Sequence, residues 1–174
     1  MSLGQTMISI ATLVALTIMV VTSQRYVIEG QKEAVAAECL DLAAMHAEAL
    51  INEISRKNYD ATTTYNYYQP TSEFTGAGSL GPNSGELALI NPWPDVSPYK
   101  SIAAYSDVDD YDGYQRIVNT DLVNNLTLSV QVYYVSETNP TQKVYYTTYL
   151  KRVVVTVQQT TYLSPITFTS LVAY

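Results

Sequence analysis

Apolar residues crowd the start of the chain without any period. Between Met7 and Val21 they follow one another as Met, Ile, Leu, Val and Ala, interrupted only by Ser9, Thr12 and Thr17. No Asp, Glu, Lys or Arg precedes Arg25, so 24 residues carry no charged side chain. As a helix they would reach roughly 36 Å at about 1.5 Å per residue, enough to cross the hydrocarbon core of a bilayer. The three hydroxyls are compatible with that helix, because each can bond back to a carbonyl one turn earlier.

The pattern then acquires a period. From Ser23 to Asn58 the residues are strong helix formers, and Ala36, Leu40, Ala43, Ala47, Leu50, Ile51 and Ile54 recur at spacings of three and four. That is one buried helical face. No proline precedes Pro70, and Gly30 is the only glycine between Gln5 and Gly76. The spacing predicts a single helix of about 55 residues within 1–58. Residues 1–24 are apolar all round and residues 25–58 are amphipathic. Gly30 is the weak point, costing about 1 kcal/mol relative to Ala.

After Asn58 the chain turns to Thr, Tyr, Gly, Pro and Asn, which predicts irregular loop with one short strand at Glu86–Ile90. Period-two runs follow. Leu126, Leu128, Val130 and Val132 alternate with Thr127, Ser129 and Gln131. A strand is predicted within 142–158 and a last one within 160–174, with "SETNP" at 136–140 as a turn. The predicted fold class is α+β: a long N-terminal helix whose second half packs on a small antiparallel sheet of four or five strands. The globular β-rich part is residues 59–174.

Charge removes several functions. The net charge of −7 leaves nothing to neutralise a phosphate backbone, so no nucleic-acid partner is expected. It equally argues against a basic patch on anionic lipid. Single residues of cysteine and histidine, Cys39 and His46, cannot build a zinc site between them, and one cysteine allows no internal disulfide. No Ser–His–Asp spacing and no glycine-rich phosphate loop stands out, so neither an enzyme nor a cofactor is expected. The composition is unusual in its 16 tyrosines against 2 phenylalanines and 1 tryptophan. Tyrosine suits half-wet surfaces and interfaces.

A secretory signal would need a basic start and a small-residue exit, and neither is present. An ordinary anchor would carry Lys or Arg on its cytoplasmic flank, and here only the far flank does. The plan of a lone helix, apolar at its start, followed by a β domain resembles type IV pilins and pseudopilins. The likeness is sharpest at "MSLGQ", and "DVDDYDGY" followed by a strand, then "LKRVVVTV", extends it over nearly the whole chain. Mature members of that family begin after a cleaved leader, often on a methylated Phe or Met, and carry Glu at the fifth position. Met1 stands at the first of these places and Gln5 at the other. Processing after Gly4, which would make Gln5 the first residue, is the other reading. In the family the Glu pairs with the terminal amine of a neighbouring subunit, fixing register; Gln5 can offer the Met1 amine only a neutral hydrogen bond.

The resemblance implies the major structural subunit of an extracellular filament, polymerising with itself through the apolar helix. It implies insertion in the inner membrane before assembly, and a prepilin peptidase and pilus assembly machinery as partners. Adhesion would be a downstream role. Met1 (also the methylation candidate), Gln5, Leu13 and Leu16 are the implied assembly residues. A minor pseudopilin of a secretion or DNA-uptake machine, or a membrane-anchored binding domain that never polymerises, are the alternatives.

Other candidates have plainer readings. Asp107, Asp109, Asp110 and Asp112 could offer oxygens to calcium. With Gly113 at the glycine of an EF-hand loop, however, Val108 falls on the first ligand position, so a solvated turn is expected. His46 reads as a surface or half-buried helix residue and Cys39 as a small apolar residue facing the sheet. Asn125–Thr127 fits the glycosylation sequon at the start of a strand.

Overall fold

A computed structural model describes residues 3–64 and 68–174. Met1 lies outside the described residues. Helix α1 runs unbroken through Leu3–Ser55, 53 residues, as the absence of proline and the strong helix formers require. Packing divides the chain into two units, Met1–Glu38 and Cys39–Tyr174. The described residues of the first, from Leu3 onward, are all helix.

The second unit joins the last turns of α1 to a five-stranded sheet. Short helices α2 (Ser84–Leu89) and α3 (Ser101–Ala104) flank strand β1 (Asp95–Val96); β2 (Gln115–Val118), β3 (Leu126–Tyr134), β4 (Leu150–Gln159) and β5 (Leu163–Ala173) follow. The strands lie in chain order. All neighbours are antiparallel except β1 and β2, which run parallel, so the sheet is mixed rather than wholly antiparallel.

Alternation decides what the sheet buries. On β3, Leu126, Leu128, Val130, Val132 and Tyr134 point inward; on β4, Val153, Val155 and Val157 do. Cys39, Ala43, Ala47, Leu50 and Ile54 of α1 complete this core together with Val108, Tyr111 and Tyr114. A second cluster gathers Tyr59, Phe74, Tyr134 and Val144.

Four expectations need correction. Leu40 is 43% exposed, because the buried line runs through Cys39, about 100° round the helix from it. Residues Glu86–Ile90 are not a strand. Asn83 starts a helix there, its backbone N–H donating to Glu86 Oε2 at 3.0 Å, one half of a capping box. The strand expected within 142–158 begins only at Leu150. Before it, Thr148 Oγ1 donates to the Val135 carbonyl at 2.9 Å, a side-chain bond that takes the place of a ladder bond. Finally, tyrosine is not confined to the half-wet surfaces it suits: of the 14 described tyrosines nine are half-buried or exposed and five are buried. Tyr59, Tyr105, Tyr111, Tyr114 and Tyr134 are buried, and Tyr105, Tyr111 and Tyr114 meet edge to face at 4.8–5.7 Å between centroids.

Candidate functional site

The first unit presents its apolar side chains outward. Leu13 is 69% and Leu16 66% exposed, and Met7, Ile10 and Met19 are exposed with them. The helix is long and apolar enough to cross a membrane. Its hydroxyls bond back as the sequence requires: Ser9 Oγ to the Gln5 carbonyl at 2.9 Å, Thr12 Oγ1 to that of Ile8 at 3.0 Å, and Thr17 Oγ1 to that of Leu13 at 2.8 Å. Each hydroxyl thereby hides its donor and leaves the helix surface effectively apolar. Gln5 is exposed in the first turns of the same helix.

The second unit holds two buried charge centres. In one, Arg116 of β2 donates from Nη2 to both oxygens of Glu53 on α1, at 2.8 and 3.0 Å. Its Nε donates to the Tyr114 hydroxyl at 2.9 Å, and its guanidinium stacks 3.9 Å above the Tyr99 ring. Tyr114 in turn donates to Asp95 Oδ2 at 2.8 Å. Glu53 also accepts from Tyr111 and Ser101, at 2.7 and 2.9 Å. A charged pair removed from water persists only with its remaining bonds satisfied, and here hydroxyls supply them.

The other centre is Lys151 of β4, fully buried. Its Nζ lies 2.7 Å from Asp109 Oδ1, 3.4 Å from Asp60 Oδ2 and 2.7 Å from the Tyr59 carbonyl. The rings of Tyr59 and Tyr134 sit 4.4 and 5.2 Å from it.

The four aspartates singled out by sequence meet here, and not as a solvated turn. Asp107, Asp109 and Asp110 are buried. Asp107 Oδ1 accepts the N–H groups of Asp109 and Asp110, while Asp110 Oδ2 accepts those of Ser106 and Asp107. Asp112 Oδ1 accepts the Val132 N–H at 2.9 Å. The loop folds inward because the Asp107, Asp110 and Asp112 carboxylates cap backbone donors that would otherwise be orphaned, while Asp109 accepts from Lys151. Burial, with the Asp109 carboxylate alongside, pushes Asp107 up to about 9; burial raises Asp110 to about 6 against the N–H groups that hold it down. Asp60 moves the other way. Burial raises it, but the Thr75 N–H at 2.8 Å and the Lys151 charge outweigh that and leave it lowered. Among the described residues no group of His, Cys, Asp or Glu is arranged to hold a metal.

Half-buried His46 has its imidazole pKa lowered by burial and by the Arg116 charge, which favours the neutral ring. Cys39 faces the core as expected; its thiol pKa is raised by burial, and full burial keeps it from a neighbour's thiol. Asn125 is exposed immediately before β3 at φ 58°, a left-handed position that asparagine tolerates well.

No family model, no curated protein and no solved structure matches the chain.

Arg116, Glu53, Lys151 and Asp60 carry the two centres, and composition alone did not single them out. For Lys151 the signal was parity: it shares its side of β4 with Val153, Val155 and Val157, whereas Arg152 does not.

Proposed function

We propose that the chain is the structural subunit of an extracellular type IV pilin-like filament, held in the membrane before assembly and joined to its own copies by the apolar helix afterwards. The observation that carries this reading is the helix itself. Its first part leaves every large apolar side chain from Leu3 to Val21 exposed, and it runs without a break into turns that are buried in a folded domain. Such a surface requires an apolar surrounding, first lipid and then other copies of the same segment. Ser9, Ala11, Thr12, Ala15 and Thr17 are small enough to let neighbouring helices approach closely. Gln5 would replace an ion pair with a neutral bond to a neighbour's terminal amine. Processing by a prepilin peptidase and handling by a pilus assembly machine belong to the same reading.

The test is electron microscopy of material sheared from the surface of cells that make the protein. Filaments built of this subunit, lost in Leu16→Lys, support the reading. A protein that stays in the membrane fraction and forms no filament is instead an anchored surface domain.

A further inference from the structure

The geometry points to a covalent staple: an intramolecular amide joining the Lys151 side chain to that of Asp109. The staple follows from the contents of the buried centre and does not depend on the filament. Nζ lies 2.7 Å from Asp109 Oδ1, which leaves the carboxyl carbon one C–O bond further on. Both groups are held from more than one side. Lys151 is fixed in β4 between β3 and β5, opposite Tyr134 and Val172. Asp109 opens the 3₁₀ turn Asp109–Tyr111, with its N–H bound to Asp107 Oδ1 at 2.9 Å. Holding two reactants this way removes most of the entropic barrier to their joining.

Condensation also needs a base on the amine and an acid on the carboxyl, and one of each is present. Asp60 Oδ2, 3.4 Å from Nζ, can take a proton from the ammonium. Asp107 hydrogen-bonds the Asp109 side chain, and burial first, then that neighbour, hold its carboxyl proton to about pH 9. It therefore faces Asp109 as an acid at neutral pH. The aromatic walls of Tyr59 and Tyr134 keep water away, so passing the ammonium proton to a carboxylate exchanges two buried charges for two neutral groups.

The step balances without a co-reactant. Lys151 gives one proton to Asp60, and the freed lone pair attacks Asp109 Cγ. Asp107 protonates the oxygen that is to leave. The C–N bond forms, the C–O bond breaks and water departs. One of its hydrogens is the proton Asp107 gave and the other is the ammonium proton passed on by Asp60; its oxygen comes from Asp109, and the second ammonium proton moves from the nitrogen to Asp107. The third ammonium hydrogen stays on the amide, and Asp60 and Asp107 end in the states in which they began. Nothing is oxidised or reduced.

The test is a tryptic digest of the denatured full chain, read by mass. Cleavage follows Lys100, Arg116 and Lys143, but an acylated Lys151 resists, so the next cut is after Arg152. The expected product is residues 101–116 joined to residues 144–152, lighter than their sum by one water. Asp109→Asn should give the same joined product by loss of ammonia instead, while Asp109→Ala should give only separate peptides. Asp107→Asn keeps the shape but cannot supply the proton, and should leave most of the chain unjoined; full joining there would overturn the role given to Asp107. Wild-type protein that yields only separate peptides, cut after Lys151, overturns the staple and leaves a plain ion pair. Residues 58–100 joined to 144–152 would put Asp60 in place of Asp109 and overturn the assignment.

Discussion

Arg116 Nη2 donates to both carboxylate oxygens of Glu53, at 2.8 and 3.0 Å, and this is the polar bond that fixes α1 to β2. Both side chains are largely removed from solvent, at 6% and 13% exposure. In water such a pair contributes little. Buried, its charges are bound to one another, because either alone would sit among Tyr99, Tyr111 and Tyr114 without a counter-charge.

Removing one partner should therefore cost much more than the pair is worth. Glu53→Ala leaves the guanidinium uncompensated and takes the acceptor from Tyr111 and Ser101, a loss of about 3–5 kcal/mol. The double variant Glu53→Ala, Arg116→Met should recover most of it. Denaturant melts of both proteins measure the difference, and equal losses in the two would show that charge burial is not the cause.

Asp110 gives the domain a dependence on pH opposite to the usual one. Its folded carboxyl is raised to about 6 by burial, so the folded state keeps a proton that the unfolded chain releases near its ordinary value. Its contribution is complete below the unfolded value and is lost as pH rises through the folded one. Stability should fall between pH 4 and 6, by at most about 1.4 kcal/mol per pH unit for this one group. Asp110→Asn can still accept the Ser106 and Asp107 N–H groups but has no proton to lose. Melts across this range should show a slope smaller by up to one proton in the variant. An unchanged slope would place the titration elsewhere.

How much of this was written in the sequence differs by element. The helix was legible because its 53 residues hold no proline and its second half keeps a period of 3.6, and β3 because its alternation is unbroken from Leu126 to Val132. Strand β1 was not, since two residues carry no period. Residues 86–90 failed because an alternation of five residues is too short to outweigh the capping signal at Asn83. The buried centres were half legible. Lys151 could be placed by parity, but Asp60 comes to it across 91 residues of chain from a stretch with no period at all. Long-range polar contacts of that kind leave no local trace. The aspartates looked solvated because charge implies water by default; only the fold supplies the N–H groups and the lysine that replace it.

Gln5 tests the assembly reading at its most specific point. If its side chain bonds the terminal amine of a neighbour, Gln5→Leu removes the bond and should yield fewer or more fragile filaments. Gln5→Glu offers an ion pair in a dry setting and should assemble at least as well. Filament yield and resistance to shear are the measurements. Wild-type behaviour of Gln5→Leu would deny the residue any part in register.

The last prediction separates folding from assembly. The second unit, from Cys39 onward, has its own core in α1 and the sheet, and no described residue among the first 24 contributes to that core. A truncation beginning near Glu29 should therefore fold as a soluble monomer of mixed helix and strand. It should not polymerise, because the surface that would join subunits has gone. Burying each Leu or Ile of that surface contributes about 1.5–3 kcal/mol, repeated along a filament at every subunit. Within the full chain, Leu13→Asp places an unpaired carboxylate where neither lipid nor a neighbouring helix can solvate it, and should abolish filaments while leaving the domain folded. Circular dichroism of the truncated protein and electron microscopy of both proteins decide the matter. Filaments formed by the truncated protein would mean that the β domains carry assembly by themselves, and that the apolar helix serves only to anchor the chain.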